Sequence, residues 1–149
     1  MAKFVYKMQN ILNIKMKLEN QAKIAYGQAN AKLLEEQGEL QRILVRKAGY
    51  EKQAKKLVSG KICVADIREN KHAIDAMKHM MRQQMIKVQV AERNLEAARM
   101  KLNEVMTERK THEKLREHAF EEFKQELEHE ESKVVDELVS YTYHTREDN

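Results

Sequence analysis

From Ile67 to Val105 the apolar residues of this chain recur at alternating steps of three and four, the 3.5-residue period of a coiled-coil seam. The positions are Ile67, Asn70, Ile74, Met77, Met81, Gln84, Val88, Ala91, Leu95, Ala98, Leu102 and Val105, and only Asn70 and Gln84 among them are polar. A half-buried strand would instead alternate with a period of two. Beyond Val105 the register meets Arg109, His112 and Arg116. Apolar positions then resume at Phe120, Phe123, Leu127, Val134, Leu138 and Tyr141 after an extra step of four, which reads as a stutter that locally unwinds the supercoil.

The first half carries a less regular seam through Phe4, Met8, Ile11, Leu18, Ala22, Ala25 and Ala29. A stutter then leads to Leu33, Leu40, Ile43, Tyr50, Ala54 and Leu57, with Lys15, Glu36 and Lys47 as interruptions. Turns draw on proline and glycine, and this chain has no proline and four glycines, so it can make very few of them. The one place where a glycine follows a plausible helix end and a new helix begins soon after is Val58-Ser59-Gly60-Lys61-Ile62-Cys63. Cys63 to Asp66 has capping-box spacing, although cysteine is a poor substitute for serine or threonine as a cap.

Two helices joined by so short a turn run antiparallel. The expected fold is all-α, a long antiparallel two-helix coiled-coil hairpin with a longer carboxyl-terminal helix, in a single domain. Helix 1 spans about 3–58, the turn about 59–65 and helix 2 about 66–142, with a frayed tail over about 143–149. At about 1.5 Å per residue the helices would measure roughly 80 and 110 Å. Pairing mirrored about the turn sets Phe4 near Ala119 and leaves everything after about residue 122 without a partner from the same chain. The pattern serves an intramolecular hairpin and a domain-swapped dimer equally.

Charge supports this register. Residues 1–60 hold 12 Lys and Arg against 5 Glu, a net of +7, and residues 61–149 hold 16 against 19, a net of −3. Between Glu117 and Glu137 nine acids face only Lys124 and Lys133, whereas Lys3, Lys7, Lys15 and Lys17 precede the first acid of the chain, Glu19. Antiparallel pairing brings those lysines beside the start of the acidic run and disfavours slipped registers. Most of the individual charges are expected to form an ordinary solvated face.

Several classes of function are disfavoured. The mean hydropathy of −0.79 and the lack of a run of about 18 apolar residues argue against a membrane span. Met1 to Leu12 lacks the apolar core of a signal peptide, so the protein is read as cytosolic. Cys63 is the single cysteine and has no disulfide partner within the chain. The six histidines, His72, His79, His112, His118, His129 and His144, are strung along the helices and cannot converge on a metal. Gly60-Lys61 alone is no phosphate loop, and a two-helix hairpin offers no concave pocket, so neither enzyme activity, metal nor cofactor is expected.

What remains is contact. Ile86, Val90, Ala97 and Met100 fall on the outer positions of the heptad frame and read as a docking stripe. At the amino end Tyr6 and Met16 lie outside the seam, with Val5, Leu12 and Ile14 on its flanks, and Phe4 belongs to the same adhesive end. Met77, Met80, Met81 and Met85 form an adaptable group near the turn, of which Met77 and Met81 fill the seam. Gly27, Gly38 and Gly49 recur every eleven residues near one stripe of helix 1, which suggests close approach of another backbone, local softness, or chance. Two readings stay open at this point: a rod that joins protein partners through its stripes, and a basic first helix that binds nucleic acid or an anionic membrane. Interleaving of the lysines with seam residues, the lack of an aromatic stacking platform and the acidic second helix weigh against the second.

The opening Phe4-Val5-Tyr6-Lys7-Met8-Gln9-Asn10-Ile11-Leu12 with Lys15 resembles the start of the FliJ family of flagellar export proteins. Lys110, Glu113-Lys114-Leu115, Phe123, Glu130 and Asp136-Glu137 resemble its charged carboxyl-terminal segment, so that the similarity covers nearly the whole chain. The resemblance implies a non-enzymatic antiparallel coiled coil of the flagellar type III export apparatus, similar to the stalk of rotary ATP synthases. It further implies engagement of the hexameric export ATPase and of the cytoplasmic domain of the membrane export gate, escort of export chaperones, and a peripheral place at the inner face of the membrane in support of motility and chemotaxis. Phe4 to Leu18 becomes the segment expected at the gate, and the terminal ends of the helices those expected at the ATPase ring. Injectisome stalk proteins share this architecture. If the seam is right, Leu95→Asp melts the hairpin, and an unaltered thermal transition would show it misregistered.

Overall fold

The structure, a computed structural model, describes residues 2–147. Two helices account for nearly all of them, α1 (Gln9–Leu57, 49 residues) and α2 (Val64–Glu147, 84 residues), packed against each other as a coiled-coil hairpin. The chain divides into two compact units, one of Asn20–Asn103 and one of residues 1–19 with 104–149.

In the Asn20–Asn103 unit the break falls at the glycine. Gly60 has φ +88°, a left-handed conformation that costs a side-chain-bearing residue and not glycine. Just before it the Ser59 amide and hydroxyl both donate to the Lys56 carbonyl, at 3.2 and 2.9 Å, closing the end of α1. After it the Cys63 carbonyl accepts from Ile67 N at 3.1 Å and opens α2. The α2 seam runs as its spacing predicts, with Asn70, Met77, Gln84, Val88 and Ala91 buried and Ile67, Ile74, Met81, Leu95, Ala98 and Leu102 half-buried. The α1 side differs from the sequence expectation. Inward positions run Ala22, Tyr26, Ala29, Leu33, Glu36, Leu40, Ile43, Lys47, Tyr50, Ala54 and Leu57, an uninterrupted heptad with no stutter, and Ala25 is exposed.

Glu36 and Lys47 are therefore members of this seam. Gln84 donates through Nε2 to the Glu36 carbonyl at 3.0 Å and also to its carboxylate, which Lys32 approaches at 3.0 Å. Lys47 pairs with Glu51 at 3.1 Å, and Asn70 Nδ2 donates to the Tyr50 carbonyl at 3.1 Å. Long charged side chains cover apolar surface with their stems while their ends find partners, which lets them hold seam positions. The glycines are not sites of close packing within the chain, because a Cβ built at Gly27, Gly38 or Gly49 meets nothing within 4 Å.

The second unit pairs the amino end with the middle of α2. Phe4 sets its ring at 5.0 Å, edge to face, from Phe120 and at 5.5 Å from Phe123, close to where the mirrored register puts it. Lys15 meets Glu108 at 2.8 Å, and Arg109 is held between Glu19 and Glu113, the latter at 2.8 Å. Arg109 and His112, expected to break the seam, are half-buried within it. On the α1 side the inward residues are Leu12, Lys15 and Glu19, whereas Met8, Ile11 and Leu18, placed in the seam by their apolar character, are 45%, 37% and 39% exposed. Residues 2–8 are not regular helix, so α1 starts six residues later than its expected start at 3. Phe4 and Tyr6 both turn inward, and helical side chains two apart would point to different sides. At the other end α2 stays helical through the stretch expected to fray, up to Glu147, while Asp148 and Asn149 of that stretch lie outside the described residues.

The phase of the seam can be measured. Leu12, only 3% exposed, should lose about 2–3 kcal/mol of stability as Leu12→Ala, while Leu18→Ala should stay within about 0.5 kcal/mol of the parent in denaturant titration. Glu36 gives a pH signature. Hydrogen bonds from Lys32 and then Gln84 hold its carboxyl below the ordinary carboxylate range, so its contribution is present above that range and is lost as pH falls through the lowered value. Thermal melts at falling pH should show the Glu36→Gln protein losing less stability than the parent over that window.

Candidate docking surfaces

A thin seam leaves much apolar surface uncovered, and its distribution follows from helical spacing. In the Asn20–Asn103 unit Ile86, Val90 and Met100 are 60%, 48% and 63% exposed. With Ala97, also exposed, they share a stripe of α2 at spacings of four, seven and three. Met80 and Met85 are exposed as well, while Met77 is buried and Met81 half-buried, as the seam predicts.

The same unit shows a surface that sequence reasoning missed. Leu34 and Val45 on α1 are 60% and 62% exposed and stand at spacings of four and seven from Gly27, Gly38 and Gly49. Together they make a shallow aliphatic face away from the seam. The signal was the eleven-residue spacing shared by Leu34, Val45 and the glycines, which becomes visible once α1 is read as one continuous heptad.

In the other unit the expected amino-terminal surface divides. Ile14 and Met16 are 55% and 45% exposed, joined by Val5 at 75%. Phe4, Tyr6 and Leu12 do not belong to it. Leu12 is buried in the seam, Phe4 packs on Phe120 and Phe123, and Tyr6 is half-buried with its hydroxyl enclosed. Among the described residues neither the Tyr6 hydroxyl nor His112 Nδ1, also buried, has a hydrogen-bond partner. Leu12 turns inward because Lys15 and Glu19 set the phase of α1 through Glu108 and Arg109, and Phe4 and Tyr6 turn inward together because residues 2–8 are not regular helix.

The same unit holds a further uncovered apolar face. Past Phe123 and the half-buried Leu127, every described residue of α2 is exposed. Val134, Leu138 and Tyr141, which continue the seam spacing, are 54%, 61% and 73% exposed, with Val135, Val139 and Tyr143 beside them. Glu126, Glu128, Glu130, Glu131, Asp136 and Glu137 run along the same stretch. An apolar stripe edged by carboxylates suits a partner helix or groove that is basic at its rim. Lys124 leans over the Phe120 ring at 5.4 Å and marks the inner limit of this face.

The two units differ in charge. Asn20–Asn103 carries 17 Lys and Arg against 9 acids, a net of +8, and the remainder carries 11 against 15, a net of −4. No group of His, Cys, Asp and Glu able to hold a metal occurs among the described residues, and no helix there is long and apolar enough to cross a membrane.

Comparison with known proteins agrees with this architecture. The model of the family described as Flagellar FliJ protein matches residues 4–148. No curated protein matches the chain. Among solved structures, a putative YscO homolog from Chlamydia trachomatis is similar over 99% of each chain, with a TM-score of 0.54 at 20% identity. That likeness is one of fold.

Proposed function

Because this chain belongs to the flagellar FliJ protein family, and is thereby a protein of type III export, we propose that it serves flagellum assembly as a non-enzymatic connector between export components. The observation that carries this reading is the family match over residues 4–148, on a fold whose seam leaves apolar residues exposed on both helices. In this reading the hexameric export ATPase, the cytoplasmic domain of the export gate and export chaperones are its partners. It works in the cytoplasm against the inner face of the membrane at the flagellar base, and motility and chemotaxis depend on it. An injectisome stalk would share the fold, and the flagellar family match favours the flagellum.

The faces divide the work by chemistry. The acidic, apolar end of α2 with Val134, Leu138 and Tyr141 makes the terminal surface for the ATPase ring or the gate, and Ile14 and Met16 on α1 offer separate exposed contacts at the level of Glu108. The Ile86, Val90 and Met100 stripe in the basic unit makes a separate surface, suited to a helix of a chaperone or of the gate. Coupling needs no reaction on this protein. An asymmetric coiled coil among six equivalent subunits contacts them unequally, and unequal contact shifts which interfaces close.

Substitution on the stripe separates docking from folding. Ile86→Asp with Met100→Asp should leave helical circular dichroism and the melting transition within about 0.5 kcal/mol of the parent, since both residues are exposed. The same protein should capture ATPase, gate domain or chaperone at least about tenfold less well, the loss of a small hot spot. Unchanged capture of all three would sink the stripe as a docking site.

A further inference from the structure

The short connection between the helices is unlike an ordinary turn. Val58, Ile62 and Val64 are 63%, 62% and 65% exposed, so three branched aliphatic side chains stand in water within seven residues of chain. Gly60, with its positive φ, reverses the chain between the first two. Turns are ordinarily built from small and polar residues, and nothing in the pairing of α1 with α2 requires aliphatic ones here.

Cationic side chains surround this tip. Lys55, Lys56, Lys61, Arg68 and Lys71 are all exposed and fall within seventeen residues of chain that span the reversal. The two acids of the stretch, Asp66 and Glu69, line a shallow groove with Tyr50, Gln53 and Leu57. Arg68 and Lys71 are each two residues further along and by helical spacing occupy a different side of α2. Exposed aliphatic groups at the reversal are thus flanked in the chain, on both helices, by exposed cations.

We propose that this loop is a membrane-contact site that seats in the surface of an anionic lipid bilayer. Val58, Ile62 and Val64 enter the boundary between headgroups and acyl chains, and Lys55, Lys56, Lys61 and Arg68 meet the lipid phosphates. Both halves of the chemistry are used by that occupant. Each lysine near an anionic leaflet strengthens binding by roughly fivefold, and the aliphatic groups hold the contact when salt screens the charges. A nucleic acid strand would satisfy the lysines and leave the aliphatic tip in water, and the loop offers no aromatic ring for a base to stack on. The proposal is independent of the export partners, since it needs only this loop and a lipid surface.

Cys63, the single cysteine, is exposed in the loop and takes an environment-sensitive dye without any engineered residue. The full-length labelled protein is mixed with phosphatidylcholine vesicles, with or without about 30% phosphatidylglycerol, and floated on a density gradient. The expected result is at least about tenfold more bound protein on the anionic vesicles, a shift of dye emission to shorter wavelength and quenching by a lipid-tail quencher. Val58→Ser with Ile62→Ser should abolish the quenching, and Lys55→Glu with Lys61→Glu should remove binding, both with helicity unchanged. Equal binding to neutral and anionic vesicles would overturn the proposal. So would binding without dye quenching, which is adsorption by charge alone, or tighter binding of a single-stranded oligonucleotide than of anionic vesicles at the same salt. None of these outcomes bears on capture by the Ile86 and Met100 stripe, so the two readings fail separately.

Discussion

Gln84 reaches from α2 to the main-chain carbonyl of Glu36, and Asn70 does the same to Tyr50, so each amide is satisfied at one register of the two helices. A seam made only of alanine, leucine and valine could slide by a heptad at small cost. A buried amide that loses its acceptor costs about 1–3 kcal/mol, which makes the slipped registers unfavourable. In the other unit Arg109 plays this part between Glu19 and Glu113, and Lys15 with Glu108 reinforces it. The position of every exposed face follows from this register.

Because the burial is thin, much of the molecule's apolar surface stays in the open. Among the described residues only a narrow line of side chains, Leu12, Ile43, Met77 and Val105 among them, is buried, and a two-helix seam has no second layer to cover the outer positions. Branched and aromatic residues on those outer positions are left exposed, and the charges around them differ from face to face. The carboxylates along Val134 and Leu138 favour a basic partner there. The lysines around the loop favour an anionic surface, and the Ile86 stripe lies in the net-positive unit among Arg82, Lys87, Arg93 and Lys101.

How legible all this was depended on where polar residues fell. The α2 seam from Ile67 to Val105 could be read completely, since its two polar members were the only departures from an apolar pattern. Gly60 identified the turn because no other glycine stood at a helix end, and Phe4 lay where mirrored pairing put it. The α1 seam was misread wherever a charge occupied it. Selecting apolar residues favoured Met8, Ile11 and Leu18 over Lys15 and Glu19, and that shift of phase carried Leu12 to the wrong side, while Tyr6 was misplaced because residues 2–8 do not continue the helix. What hydropathy cannot express is that a charged group inside a seam is tolerated when its partner sits on the facing helix. Glu19 and Arg109 are 90 positions apart, and their pairing becomes visible only with the fold.

The solitary end of α2 has an energetic consequence. From residue 128 to Glu147 no side chain is covered, so this stretch keeps its helix through main-chain hydrogen bonds and neighbouring side chains alone. Such a segment is cheap to extend from a helix already nucleated at Phe123 and equally cheap to unwind from its free terminus. Its amide protons should therefore exchange with solvent by progressive unzipping, faster than those of the buried seam between Ile67 and Val105. A partner that binds here has to halt the unzipping, and the span of newly slowed amides would trace its footprint residue by residue.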